Sequence, residues 1–273
     1  MSYSQPLSSS NPGCFIFLLD QSGSMASPWG STGSREEQVA DILNKFLQEM
    51  CLICDAGGVV KDRVYVSVIG YGSSVGSAFS GVLAGKDNVK LSEIDANPIE
   101  IQKKIKKESD GAGGIIDSEI MFPIWVKPQS GGGTPMKEAF TKGLEIVKDW
   151  VANHPNSYPP LVINITDGEY GSSPINEVNS MKALATSDGN TLVFNVHIEN
   201  NDKVIFCPDN KKDLSGFGAE LYEFSSELPS SMVSMAKEKG NPNVKNGAKG
   251  LVFNGDFISL VTFLQFASPL QAR

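Results

Sequence analysis

The stretch Cys14 to Ser24, CFIFLLDQSGS, decides how the rest of the chain is read. Six apolar residues run without alternation, too few for an ordinary helix, and stop at Asp20 before Gln-Ser-Gly-Ser. A short continuous apolar run closed by turn residues reads as a strand buried on both faces, as in parallel sheets covered by helices. The same signature returns at Arg63–Tyr71 (RVYVSVIGY), Leu161–Thr166 (LVINIT) and Thr191–Ile198 (TLVFNVHI).

Helical periodicity fills the intervals. From Arg35 to Cys54, Val39, Ile42, Leu43, Phe46, Leu47, Met50 and Cys54 recur at helical spacing, with Ser34 as N-cap and Glu37 at the capping-box position. Thr134 is expected to cap a helix that has Pro135 at its first position and runs to about Ala152. Further helices are expected at Ile175–Thr186, Ser230–Lys239 and Gly255–Phe266. Val75–Gly81 reads as a short edge strand, and Glu220–Phe224 as another strand.

Between Val82 and Pro128 the pattern loosens. Pro98–Glu108 is expected to be a helix showing Lys103, Lys104, Lys106 and Lys107 to solvent. A glycine-rich turn at 111–114 follows, then an apolar stretch, Glu119–Val126, read as core or edge strand. The predicted architecture is α/β: a doubly wound, mostly parallel central sheet with helices on both faces and one short antiparallel edge strand. Residues 1–13 are expected to be a flexible lead, and 14–273 one domain with an insertion at about 82–128.

Composition narrows the function. The 273 residues are 40% hydrophobic and 20% charged, which fits a globular chain and excludes a disordered or disulfide-scaffold one. A net charge of −8 argues against a non-specific nucleic-acid binder. No run approaches the roughly 20 apolar residues of a membrane span, and the polar lead lacks the features of a secretory signal, which predicts a cytoplasmic protein. Cys51 and Cys54 form a C-x-x-C one turn apart on a helix, where buried core residues are the expected reading. Gly70, Gly72 and Gly76 have the wrong spacing for a dinucleotide loop, and Gly131–Gly133 lack the Gly-Lys-Ser/Thr of a phosphate loop. His154 and His197 stand alone, His197 in an apolar strand where a structural role is expected.

Asp20 and Asp167 are both expected at carboxyl ends of buried strands, where doubly wound sheets gather ligands. With the hydroxyls of Ser22, Ser24 and Thr134 they form an all-oxygen set suited to a hard cation such as Mg²⁺. Side chains at 20, 22 and 24 converge if the backbone curls around the ion, which Gly23 is expected to permit.

D-x-S-x-S after a buried strand, a distant Thr134 and the strand-terminal Thr166-Asp167-Gly168 together resemble the metal-ion-dependent adhesion site of a von Willebrand factor type A domain. The resemblance spans roughly Phe15 to Phe266. It implies Ser22, Ser24 and Thr134 as hydroxyl ligands of Mg²⁺ (or Mn²⁺ or Ca²⁺), with Asp20 and Asp167 binding directly or through water. It also implies an open coordination position filled by an Asp or Glu of a protein partner. D-Q-S-G-S-M, G-G-G-T-P-M and the tail GLVFNGDFISLVTFLQF are similar to intracellular bacterial members associated with tellurium resistance, which are encoded beside protein kinases and 2C-type phosphatases. The implied function is a non-enzymatic, Mg²⁺-dependent scaffold that binds neither nucleic acid nor membrane. A metal-dependent hydrolase or phosphotransfer enzyme is the alternative, with Glu169 the nearby candidate base.

Overall fold

The computed structural model describes residues 3–30, 33–109, 115–199, 203–267 and 269–270. The glycine-rich turn expected at 111–114 lies outside them. In chain order the elements begin with β1 (Gly13–Asp20), α1 (Arg35–Cys54), β2 (Val64–Tyr71), β3 (Val75–Ser77), β4 (Val89–Lys90) and α2 (Leu91–Ala96). A long hairpin, β5 (Glu100–Ser109) and β6 (Ile115–Ile124), precedes α3 (Met136–Asn153), β7 (Leu161–Thr166) and α4 (Ile175–Ala183). Then follow β8 (Ala185–Thr186), β9 (Gly189–Asn190), β10 (Leu192–Ile198), β11 (Ile205–Phe206), α5 (Phe217–Phe224), α6 (Ser230–Glu238), β12 (Leu251–Gly255) and α7 (Phe257–Ala267).

The central sheet has the order β11-β12-β10-β7-β1-β2-β3, with β4 also on β2. The pairs from β12 to β2 are parallel. β3 returns antiparallel beside β2 as expected, and β11 closes the other edge antiparallel. This is the expected mostly parallel α/β sheet. Every residue of β1 is buried. Alternation then divides the strand between two cores. Phe15, Phe17 and Leu19 join Leu43, Phe46, Leu47 and Phe263 on one face, while Cys14, Ile16 and Leu18 join Phe140, Val147 and Trp150 on the other. Ahead of β1, Leu7 is buried and the backbone N–H groups of Ser4 and Gln5 donate to the Asp188 carboxylate, each at 3.0 Å.

α1 carries the expected capping box, with Ser34 accepting from the Glu37 N–H and the Glu37 side chain accepting from the Ser34 N–H. Other expectations are corrected. Pro98–Glu108 is not a helix: β5 pairs with β6 along its whole length, Ile101 opposite Pro123 and Ile105 opposite Glu119. Phe122 and Ile124 are buried, and Lys104 pairs with Asp41 of α1 at 2.8 Å while lying over the Phe122 ring. Glu220–Phe224 is helical rather than extended, the end of α5. The last helix starts at Phe257, and the residues before it form β12. α4 ends at Ala183, short of the expected Thr186. α3 starts at Met136, and the residue before it, Pro135, makes no side-chain cap; Thr134 is not the cap either.

Candidate metal centre

β1 sits between β2 and β7, so the chain leaves β1 toward one edge and later returns on its other side. That reversal is the topological switch point, and the crevice beyond the carboxyl ends there is where open α/β sheets bind ligands. Asp20 ends β1 and Thr166 ends β7, placing Asp20 and Asp167 on either side of it.

Four of the five expected ligands form one hydrogen-bonded chain. The Ser22 N–H donates to Asp20 Oδ1 at 2.8 Å, and the Ser22 and Ser24 hydroxyls are 3.0 Å apart. Ser24 Oγ donates to Asp167 Oδ1 at 2.7 Å. Thr166, quoted in the motif but given no role from sequence, donates to Asp20 Oδ2 at 2.6 Å. The fifth, Thr134, is half-buried in the 131–134 loop, and no hydrogen bond joins its hydroxyl to the other four.

Three loops meet here at backbone distance. Gly23 N–H donates to Gly132 O at 3.1 Å, Gly131 N–H to Gln21 O at 2.8 Å, and Gln21 N–H to Tyr71 O at 2.7 Å. Gly72 makes this possible: a Cβ there would lie 2.2 Å from Gln21 O and 2.7 Å from Gly131 O. So a glycine that belongs to no nucleotide motif is needed for close approach. Gly23 has a different status from the one expected. It is not in the left-handed region, and an added Cβ would meet only Gly132 O, at 3.6 Å.

Sequence reasoning missed Arg35. Its guanidinium reaches across from the first residue of α1 to Asp167 Oδ2 at 2.5 Å, with the Asp167 side chain fully enclosed. The available signal was a cation at a helix N-terminus, where the macrodipole disfavours it.

Burial pushes the Asp20 carboxyl above its usual range, against the Ser22 and Thr166 hydrogen bonds that favour the charged form, and the Asp167 charge adds to the rise. Burial likewise raises the Tyr71 hydroxyl, with Asp20 contributing. A buried carboxylate beside a second one, ringed by hydroxyls, has the donor chemistry of a hard-cation site. Asp20, Ser22, Ser24 and Asp167 therefore fit such an ion. Among the described residues no group of three or more His, Cys, Asp or Glu gathers, so a nitrogen- or sulfur-rich centre has no support. The four cysteines are buried and free. His197 is buried, accepts from the Asn254 N–H at 3.3 Å through Nδ1 and stacks on Phe253. Glu169 is exposed.

Beneath the site runs a polar thread that the sequence did not announce. Tyr71 Oη donates to Asn164 Oδ1 at 2.7 Å, Asn164 Nδ2 to Asn195 Oδ1 at 3.1 Å, and Asn195 Nδ2 to Ser225 Oγ at 3.0 Å.

No family pattern matches the sequence, and no curated protein matches it. Solved structures do resemble it. Proximal thread matrix protein 1 from the mussel byssus is 14% identical over 97% of this chain and 48% of its own, with a TM-score of 0.48. The manganese-loaded Plasmodium vivax TRAP protein is 15% identical over 94% of this chain and 74% of its own, with a TM-score of 0.45. The ArnB paralog VWA2 from Sulfolobus acidocaldarius is 11% identical over 70% of this chain and 36% of its own, with a TM-score of 0.36. The chain thus spans about half the length of the mussel protein. Among the described residues no helix is long and apolar enough to cross a membrane.

Proposed function

We propose that the chain is a protein-interaction module whose binding depends on a divalent cation held at the β1–β7 switch point by Asp20, Ser22, Ser24, Thr134 and Asp167. The observation that carries this reading is the hydrogen-bonded chain that runs from the buried Asp20 through Ser22 and Ser24 to Asp167. A bound Mg²⁺, or Mn²⁺ or Ca²⁺ in its place, supplies an electrophilic position for a carboxylate. The chain's part is to supply two carboxylates that balance its charge, neutral hydroxyls that leave it electron-poor, and a backbone scaffold that keeps them in place. An Asp or Glu from a protein partner then completes the coordination.

The non-catalytic reading is supported by the surroundings. Hydrolysis would need a positioned base, and Glu169 points to solvent while His197 Nδ1 is engaged by Asn254. On the motif resemblance, the setting is the cytoplasm of a bacterium, in a kinase- or phosphatase-linked stress or defence system such as tellurium resistance.

A crystal soaked in Mn²⁺ tests the site: an anomalous peak is expected within ligand reach of Ser22, Ser24 and Asp167. A peak only near Cys51 and Cys54, or none, overturns the assignment. Capture of a partner in Mg²⁺ and its release by chelator tests the interaction.

A further inference from the structure

Arg35 is poorly placed for any purpose of its own helix. It is the first residue of α1, where the exposed N–H groups carry partial positive charge and a cation is disfavoured. Its side chain is only 14% exposed, and its Nε is buried without a hydrogen-bond partner among the described residues. Among the described residues the guanidinium's hydrogen-bond partner is Asp167, across 132 residues of sequence.

That contact falls on the carboxylate that the proposed function assigns to the cation. Asp167 offers Oδ1 to Ser24 and Oδ2 to Arg35, so both its oxygens are engaged. Counting Asp20 and Asp167 as ionised, Arg35 leaves the ion-free site with one net negative charge instead of two. A divalent cation added beside a fixed Arg35 makes the site net positive by one; without Arg35 it would be neutral. The guanidinium must therefore either give up Asp167 or stand as a like charge beside the ion.

We propose that Arg35 is a resident counter-ion that competes with the divalent cation for Asp167, holding resting metal affinity down and coupling metal retention to arrival of a partner's acid. This inference rests on the cation-dependent reading of the same site. The coupling follows from charge: an incoming carboxylate cancels the surplus positive charge, so ion and acid each strengthen the other's binding. It also gives a reason for a buried cation at a helix start, where the macrodipole disfavours it.

The test uses Mn²⁺ alone, titrated into the full chain and followed by the paramagnetic resonance of the free ion. Arg35→Gln removes the charge, Arg35→Lys keeps it, and Asp20→Asn reports on the site itself. Arg35→Gln is expected to bind Mn²⁺ at least about fivefold more tightly than wild type, and Arg35→Lys to stay within about twofold, as for loss and retention of a neighbouring like charge. Equal or weaker binding by Arg35→Gln, with Asp20→Asn impaired, overturns the counter-ion while leaving the metal site standing. Binding by Asp20→Asn equal to wild type, or by none of the proteins, overturns the metal site and this inference with it.

Melting temperatures with chelator and with Mn²⁺ give the second readout. A counter-ion role predicts that Arg35→Gln melts below wild type in chelator and recovers most of the difference in Mn²⁺. A deficit of equal size in both, or a variant unfolded in both, marks Arg35 as a structural tie only and overturns the proposal.

Discussion

At the scale of the residue, the site separates groups that hold one another from one that stands apart. Asp20, Ser22, Ser24 and Asp167 are linked by hydrogen bonds before any ion is considered, whereas Thr134 belongs to the loop whose Gly131 and Gly132 meet Gln21 and Gly23, and no hydrogen bond joins its hydroxyl to the other four. Its expected helix cap is also absent. Thr134→Ala should therefore leave stability unchanged, without the roughly 1 kcal/mol that loss of a cap would cost. Metal binding should survive on the other four ligands. Partner binding should fall by about tenfold, or roughly 1.4 kcal/mol, because a neutral ligand that keeps the ion electrophilic is gone. Thr134→Ser keeps the hydroxyl and is the control. Calorimetry with a purified partner decides it: equal affinity for wild type and Thr134→Ala removes Thr134 from the ligand set.

The elements show where sequence is legible and where it is not. β1, β2, β7 and β10 are legible because each is enclosed on both faces and so is dominated by apolar, largely β-branched or aromatic residues, with few polar interruptions such as Asn164 and Asn195. The hairpin strand β5 was unreadable for the opposite reason. Ile101 and Ile105 lie four apart, which is one helical turn and also two steps along one face of a strand. The decision came from β6, a partner that local periodicity cannot see. In α5 the buried residues Phe217, Leu221 and Phe224 do follow helical spacing, but a reading begun at Glu220 omits the first of them. Arg35, Gly72 and the Asn164–Asn195 thread matter through contacts made across the sheet or between loops, and such contacts leave no local trace. α1 was read correctly down to its cysteines, and this can be tested. Burial pushes the Cys51 thiol up to about 12 and the Cys54 thiol to about 11, and raises Cys14 and Cys207 as well. At pH 8 the native chain should react with essentially none of its four thiols, and with all four once denatured. Rapid native labelling of Cys51 or Cys54 would contradict their place in the core.

Across the whole molecule, the sheet that builds the site also carries a titrating group beside it. His197 in β10 lies opposite Thr166 in β7, so a change in its charge acts on the same end of the sheet as the two aspartates. Burial holds its imidazole below the ordinary value of 6.5; the raising effects of Glu199, Asp167 and the Asn254 side chain do not outweigh this, and Arg35 reinforces it. Its Nδ1 already accepts the Asn254 N–H, and the Phe217 and Phe253 rings enclose it, so the neutral form is the one the fold accommodates. The sign follows from proton binding. As pH falls through 6.5, the unfolded chain takes up a proton at this residue before the folded chain does, so stability falls; the loss levels off once the folded imidazole also protonates. His154, lowered by burial too, adds in the same direction. Asp20 works the other way, since burial raises its carboxyl and acid favours its folded form, an effect common to wild type and to a variant at His197. His197→Asn offers an amide oxygen where Nδ1 accepted and removes the titration, leaving His154 and Asp20 unchanged. Denaturant unfolding between pH 7.5 and 5.5 should show wild type losing stability toward acid more steeply than His197→Asn, even if the variant is less stable throughout because the stack on Phe253 is gone. Parallel pH profiles for the two proteins would mean that His197 takes up its proton in the folded chain as easily as in the unfolded one.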